Sequence, residues 1–309
     1  MKKNVAEFLE FRYEKLKLLK RSERGEVWLA SIRQSGDLVI FKRVAATGLP
    51  YDVLRQSNFT LPAKVLYCAA DESETVIVEE FIQGETLLAR LERRNFLSEE
   101  EARAILLQMC DGLAELHAQN IIHRDIKPSN MILQGDKIRL IDFDAARIFK
   151  DGKEEDTNLL GTKGYAPPEQ FGYGQTDQRS DIYSLGVTMK ILLGSNCGER
   201  LKDILDKCTE LDPKNRFQSV DELKAALLEV GEDGGVNDGV DGAGVLLGSK
   251  QILRQRLLVG LAANKLLQLL SDGHASHEPF GSGVTVVDGD AAQSQPLGHV
   301  ALAAAYPSC

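Results

Sequence analysis

Asp125 and Asn130 stand five residues apart in the segment IIHRDIKPSNMIL, residues 121–133, and Asp142 follows a short hairpin later in LIDFD, residues 140–144. A hard divalent cation such as magnesium takes oxygen ligands, which an Asn amide and an Asp carboxylate supply. Transfer of a phosphoryl group needs a carboxylate to orient the attacking hydroxyl and a metal to bridge the phosphates. Asp125, Asn130 and Asp142 provide such a set. The plain alternative is a polar turn that caps two strands. Eight residues in a fixed order, HRDIKPSN, argue for the chemistry.

Elements on either side must hold these residues in place. Residues 13–45 alternate as short strands, YEKLKLL, EVWLASI and LVIFKRV, separated by SERG and by RQSGD with its turn glycine Gly36. TVIVEEFI, residues 75–82, reads as another strand. Ser98 opens a helix with a capping box in which Glu101 reaches back to the Ser98 amide. Ile105, Met109, Leu113 and Leu116 then fall at helical spacing and should bury one face. MIL and IRLI flank a QGD turn, and the remainder to residue 230 is mainly helical. Strands first and helices later imply two subdomains with a cleft between them.

The 309 residues carry 43% hydrophobic and 27% charged side chains, ordinary for a soluble chain able to bury a core. A net charge of −9 argues against nucleic-acid binding, which needs a basic surface. No apolar run is long enough for a membrane span, and MKKNVAEFLEFRYEK has no signal-peptide core. Five scattered cysteines without a CxxC pair suggest a reducing, cytoplasmic location. Composition shifts after Val230, where GEDGGVNDGVDGAGVLLGS holds seven glycines in 19 residues. Residues 1–230 are therefore expected to form the folded domain. Residues 231–309 are expected to be a glycine-rich, low-order tail with a leucine-spaced helix at 250–270.

The 121–144 stretch resembles the catalytic region of eukaryotic-type (Hanks-type) protein kinases, in a compact bacterial-like version. Further segments fall in that family's order. GTKGYAPPE (161–169) resembles the end of an activation segment, SDIYSLG (180–186) a buried helix, and DPKNRF (212–217) the partner of Glu169 through Arg216. The resemblance covers residues 13 to about 230. It implies an α+β fold of two lobes: a small β-rich N-lobe at about 13–82, a larger helical C-lobe at about 83–230, and an ATP cleft between. It implies that Asp125 is the catalytic base, that Lys127 steadies the transferred phosphoryl, and that Asn130 and Asp142 hold magnesium. Lys42 would bind the phosphates and Gly25 would lie in the nucleotide loop. Glu80 and Ile82 would meet adenine through their backbone, with Val27 and Ile40 above the ring and Ile132 below. Asp181 would hold the catalytic loop, and Thr162 would touch Asp125 and Lys127. ATP, Mg2+ and protein serine or threonine hydroxyls would be the ligands, since HRDIKPSN with its lysine resembles the serine/threonine class.

The sequence departs from the family at four places. KRSERGEV keeps only Gly25 of three loop glycines, with Lys20 and Ser22 at the other positions. Asp144 replaces the glycine of the metal turn. Residues 45–58 are too short for a full regulatory helix and hold no glutamate to pair with Lys42. The stretch between Gly194 and Leu201 is too short for the helix on which many members dock substrates. A pseudokinase, acting as a nucleotide-binding or interaction module, is the alternative these departures raise. A small-molecule phosphotransferase is a third. For Lys42, the candidate substitute partners are Asp142 and, on the neighbouring strand, Glu79; Glu79 orienting it from the strand is the expectation, against Glu79 turned to solvent or Asp52 of the shortened segment swinging in. Thr157, near Arg124 and Arg147, is the expected activation phosphosite.

Overall fold

The structure, a computed structural model, describes residues 8–9, 11–149, 161–172 and 175–232. Thr157 and the 250–270 helix lie outside these residues. The N-terminal lobe is an antiparallel sheet of β1 (Tyr13–Ser22), β2 (Gly25–Ile32), β3 (Leu38–Val44), β4 (Val65–Ala70) and β5 (Thr75–Glu80), in the order β1-β2-β3-β5-β4. β5 lies between two partners, and its residues Thr75 to Glu79 are all buried. That explains why Val76, Ile77 and Val78 stand as an unbroken apolar stretch rather than alternating with polar residues. The outer face packs Val39, Phe41, Val76 and Val78 with Tyr13 and Ala30, while Ile77 joins the larger core below.

β5 stops at Glu80, two residues short of the strand expected from TVIVEEFI. The reason lies in the partner: Val39 pairs with Glu80, and β3 offers only the terminal Leu38 beyond it. β1 runs on to Ser22, past the expected YEKLKLL, because Ser22 pairs with Gly25 across a two-residue turn. Gly25 has φ +138°, and a Cβ there would lie 1.8 Å from the Arg43 carbonyl oxygen. Only glycine fits so close a backbone approach.

Between β3 and β4 the chain forms a six-residue helix, α1 (Tyr51–Gln56), which buries Tyr51 and Leu54. Two-residue strand β6 (Glu85–Thr86) and α2 (Leu87–Glu92) lead into the C-terminal lobe. Its central helix, α3 (Glu99–Ala118), begins with the capping box of Ser98 and Glu101 and buries Ile105, Met109, Leu113 and Leu116 along one stripe. Short strands β7 (Ile121–Ile122), β8 (Met131–Gln134), β9 (Lys137–Leu140) and β10 (Arg147–Ile148) follow. Helices α4 (Gln178–Leu193), α5 (Glu199–Cys208) and α6 (Val220–Glu232) complete the described lobe. The architecture is the expected two-lobed α+β arrangement. Among the described residues no helix is long and apolar enough to cross a membrane.

Candidate active site

The loop from His123 to Asn130 leaves β7 and ends in a 3₁₀ turn, Pro128–Asn130, that leads directly into β8. It is held from beneath by Asp181 in the first turn of α4. The Asp181 carboxylate is fully buried and accepts from the backbone N–H groups of His123 and Arg124, each at 2.9 Å. It also lies 2.9 Å from His117 Nε2. Burial alone would raise the Asp181 pKa; its hydrogen bond with His117 and the nearby histidines hold it below the usual carboxylate range. These bonds fix Arg124 in a left-handed backbone conformation, φ 66°, which an unsupported arginine would avoid.

Asp125 is the centre of a tight polar cluster. Its Oδ2 accepts from Lys127 Nζ at 2.6 Å and from Asn130 Nδ2 at 3.1 Å. Its Oδ1 accepts from the Thr162 hydroxyl at 2.6 Å, and Lys127 Nζ donates to that hydroxyl at 2.7 Å. Thr162 therefore closes a triangle over the carboxylate. Nearby, Glu169 takes two bonds from the buried Arg216 guanidinium, at 2.6 and 3.0 Å, and anchors the far end of the segment.

Lys42 projects from the inner face of the sheet and is 4% exposed. Its Nζ lies 2.8 Å from Glu79 Oε2, so the expected substitute partner is in contact. Asp144 and Asp142 stand farther off, at 3.9 and 4.0 Å. Burial would lower the Lys42 pKa, but the three carboxylates outweigh it and hold the ammonium above its usual value. The turn after β9 has Asp142 in the left-handed region, φ 69°. Burial pushes both of its carboxyls up. Lys42 brings Asp142 down to about 2, whereas the neighbouring Asp142 charge helps to leave Asp144 up at about 6.

Two adjoining cavities collect the residues singled out from the sequence. One, of about 440 Å³, is lined by Val27, Ile40 and Ile82 on the apolar side, with Ile132 opposite. Lys42, Glu79, Glu80, Lys127, Asn130 and Asp142 supply its polar wall. The other, of about 400 Å³, brings Gly25 together with Asp125, Lys127 and Asp142. Lys20 and Val27 border both. Glu80 turns its side chain away, accepting from the Lys64 N–H at 2.8 Å and pairing with Arg139.

The oxygen donors fit a magnesium ion. The Asn130 NH2 is directed at the carboxylate and carbonyl of Asp125, so Oδ1 is the acceptor end of the amide, with only the Ser129 hydroxyl at 3.3 Å donating to it among the described residues. The Asp142 carboxyl is held ionised in the same cavity. Sequence reasoning missed Tyr51, whose hydroxyl donates to Asp144 at 2.5 Å. It also treated Asp144 only as a lost glycine. The signal available was an aromatic residue within the shortened segment, unremarkable until its partner is known.

Residues 51–197 match the protein kinase domain family. The match begins at α1, so the placement of Gly25 and Lys42 rests on their geometry. The chain is similar to serine/threonine-protein kinase PknA of Nostoc sp., at 34% identity over 49% of this chain and 32% of the relative. It is similar to serine/threonine-protein kinase F of Synechocystis sp., at 33% identity over 49% of this chain and 36% of the relative. Serine/threonine-protein kinase PknB of Mycolicibacterium smegmatis aligns at 29% identity over 69% of this chain and 43% of the relative. The chain thus spans less than half the length of these curated relatives.

Proposed function

With residues 51–197 matching the protein kinase domain family, and the chain similar to bacterial serine/threonine kinases of the Hanks type, we propose that the chain transfers the γ-phosphate of ATP to protein serine or threonine hydroxyls. The observation that carries this reading is the Asp125 cluster, where a carboxylate, Lys127 and Thr162 meet at a cavity continuous with the one Lys42 lines. Adenine would sit between Val27 and Ile40 on one side and Ile132 on the other, against the backbone of Glu80 and Ile82. Lys42 would pair with the phosphates.

Asp125 orients the incoming hydroxyl and takes its proton as the oxygen bonds to the γ-phosphorus and the bond to the β–γ bridging oxygen breaks, releasing ADP. Lys127, held beside Asp125, offsets negative charge on the moving phosphoryl. Magnesium, bound by Asn130 and Asp142, would neutralise the phosphates. The departures at Lys20, Ser22 and Asp144 leave this set assembled, which favours an active kinase over a pseudokinase. The described cysteines Cys68, Cys110, Cys197 and Cys208 are free thiols, in keeping with a cytoplasmic protein.

The test is label transfer from γ-labelled ATP to a generic basic protein, with Asp125→Asn as control. Wild-type labelling that vanishes in the control is expected. A purified wild-type chain that binds ATP yet labels nothing would return the pseudokinase reading.

A further inference from the structure

Tyr51 opens α1 and is wholly buried, although it ends in a hydroxyl. That hydroxyl is used twice. It donates to Asp144 Oδ1 at 2.5 Å and accepts from Lys42 Nζ at 3.3 Å. The Lys42 ammonium also lies 5.7 Å from the centre of the Tyr51 ring, within cation–π range. One side chain therefore joins three segments: the short helix, the central strand β3, and the metal turn after β9.

Two departures from the family pattern meet at this point. The third position of the metal turn holds Asp144 instead of glycine, which sets one half-buried carboxylate beside another. Such a pair repels unless donors reach it. The segment after β3 has lost the glutamate that would reach Lys42. Tyr51 answers both, giving Asp144 a donor and Lys42 an acceptor. The phenol is rigid, with few torsions to order, and suits a fixed crosspiece.

We propose that Tyr51 and Asp144 form a latch that positions Lys42 and the Asp142 turn for the nucleotide phosphates, in place of a regulatory helix. The proposal rests on the kinase reading above. Tyr51 touches no reacting atom and is a positioning residue. The latch is internal to the folded chain. Displacing α1 would open it, releasing Lys42 and the metal turn together.

The test uses the full chain with Tyr51→Phe, Asp144→Ala and the double variant. ATP binding is read by calorimetry with magnesium present, and melting temperature is read without nucleotide. Tyr51→Phe keeps the ring and its packing and removes only the hydroxyl. It should weaken ATP binding about three- to tenfold, the worth of one hydrogen bond. In the Asp144→Ala background the same substitution should cost less than about twofold, because most of the latch is already gone. Equal losses in both backgrounds would overturn the latch. So would a lower melting temperature with unchanged ATP affinity, which would make Tyr51 a packing residue alone. Phosphoryl transfer is measured separately, with Asp125→Asn as the reference. A wild type that binds ATP without transferring phosphate removes the kinase reading, while the binding data still decide the latch.

Discussion

Lys42 and Glu79 are diagonal neighbours across the β3–β5 pair. Lys42 is opposite Ile77 and Ile40 is opposite Glu79, so the two charged residues share the inner face and meet at 2.8 Å. Strand alternation makes this contact a property of register. A partner on a helix can swing away, whereas a partner on the adjacent strand moves only if the sheet unpairs. Lys42 is therefore held by the most buried strand of the N-terminal lobe.

Replacing Glu79 by Gln should raise the KM for ATP and lower kcat, approaching the effect of Lys42→Met. Removing one partner of a buried charge pair costs about 2–5 kcal/mol, so kcat/KM should fall roughly 30-fold or more. Asp142 and Asp144 remain near Lys42 and limit the loss. Steady-state ATP kinetics indistinguishable from wild type would show that the contact does not orient the lysine.

Asp125→Asn and Asp142→Asn should each all but abolish transfer, leaving a small residual rate, while the fold persists. Loss of the acid–base group alone is worth on the order of 10² to 10⁴ in rate. Only Asp142→Asn should also change the magnesium dependence, because Asp125 is turned to Lys127 and Thr162. A magnesium titration of residual activity in both variants separates the two roles.

Stability should depend on the Glu169–Arg216 pair. The Arg216 side chain is wholly buried, and its other donors reach the carbonyls of Arg179, Glu210 and Leu211. Arg216→Ala leaves Glu169 buried without its counter-charge, a loss of about 3–5 kcal/mol. Arg216→Lys should recover little of it, since an ammonium cannot reproduce the two-pronged contact. Chemical denaturation of both variants gives the comparison, and a full rescue by lysine would contradict the bidentate account.

His123 makes stability sensitive to mild acid. Burial holds its imidazole below the usual range, and Nδ1 accepts from the Asp125 N–H at 3.2 Å, as the neutral ring must. A depressed folded pKa means that the unfolded chain takes up the proton first as pH drops below about 6.5. This contribution is fully present above that pH and is lost as pH falls toward the folded pKa. Asp144 pulls the opposite way, gaining stability as pH falls from about 6 toward the usual carboxylate range. The difference between wild type and His123→Gln isolates the first effect: melting temperature should fall more steeply in wild type between pH 7 and 5. Parallel curves would refute it.

Local pattern carried the sequence reading a long way. β3 spans the same seven residues, LVIFKRV, that composition marks as a strand, and the Ser98–Glu101 box sits where its spacing places it. GTKGYAPPE, read in its place after HRDIKPSN, was enough to expect Thr162 against Asp125 and Lys127, whereas the bond from Asn130 to the Asp125 carboxylate was not foreseen. β4 was missed, since VLYCAA lacks both clean alternation and turn residues at its start. Tyr51 was missed for a different reason. Its partner Asp144 is 93 residues away, and nothing in YDVLRQ marks a ring whose purpose is set by a distant turn. Pairings between strands of known register are legible, while pairings across the cleft require the fold.

Glu80 stands at the end of β5, where the chain leaves the sheet, and its carboxylate is bound to Arg139 on β9 of the other lobe. The same guanidinium reaches the carbonyl of Pro62 at 2.8 Å, so one residue of the lower lobe rivets both the exit of β5 and the segment leading to β4. Rotation between the lobes therefore has its fulcrum beyond Glu80. The chain from Phe81 to Gly84 is what remains to bend, and Gly84 is itself pressed against Leu133, leaving no room for a side chain. The hinge is short and clamped at both ends. Tilting of one lobe on the other is thereby confined to a few bonds, and loosening the rivet at Arg139 would lengthen the lever.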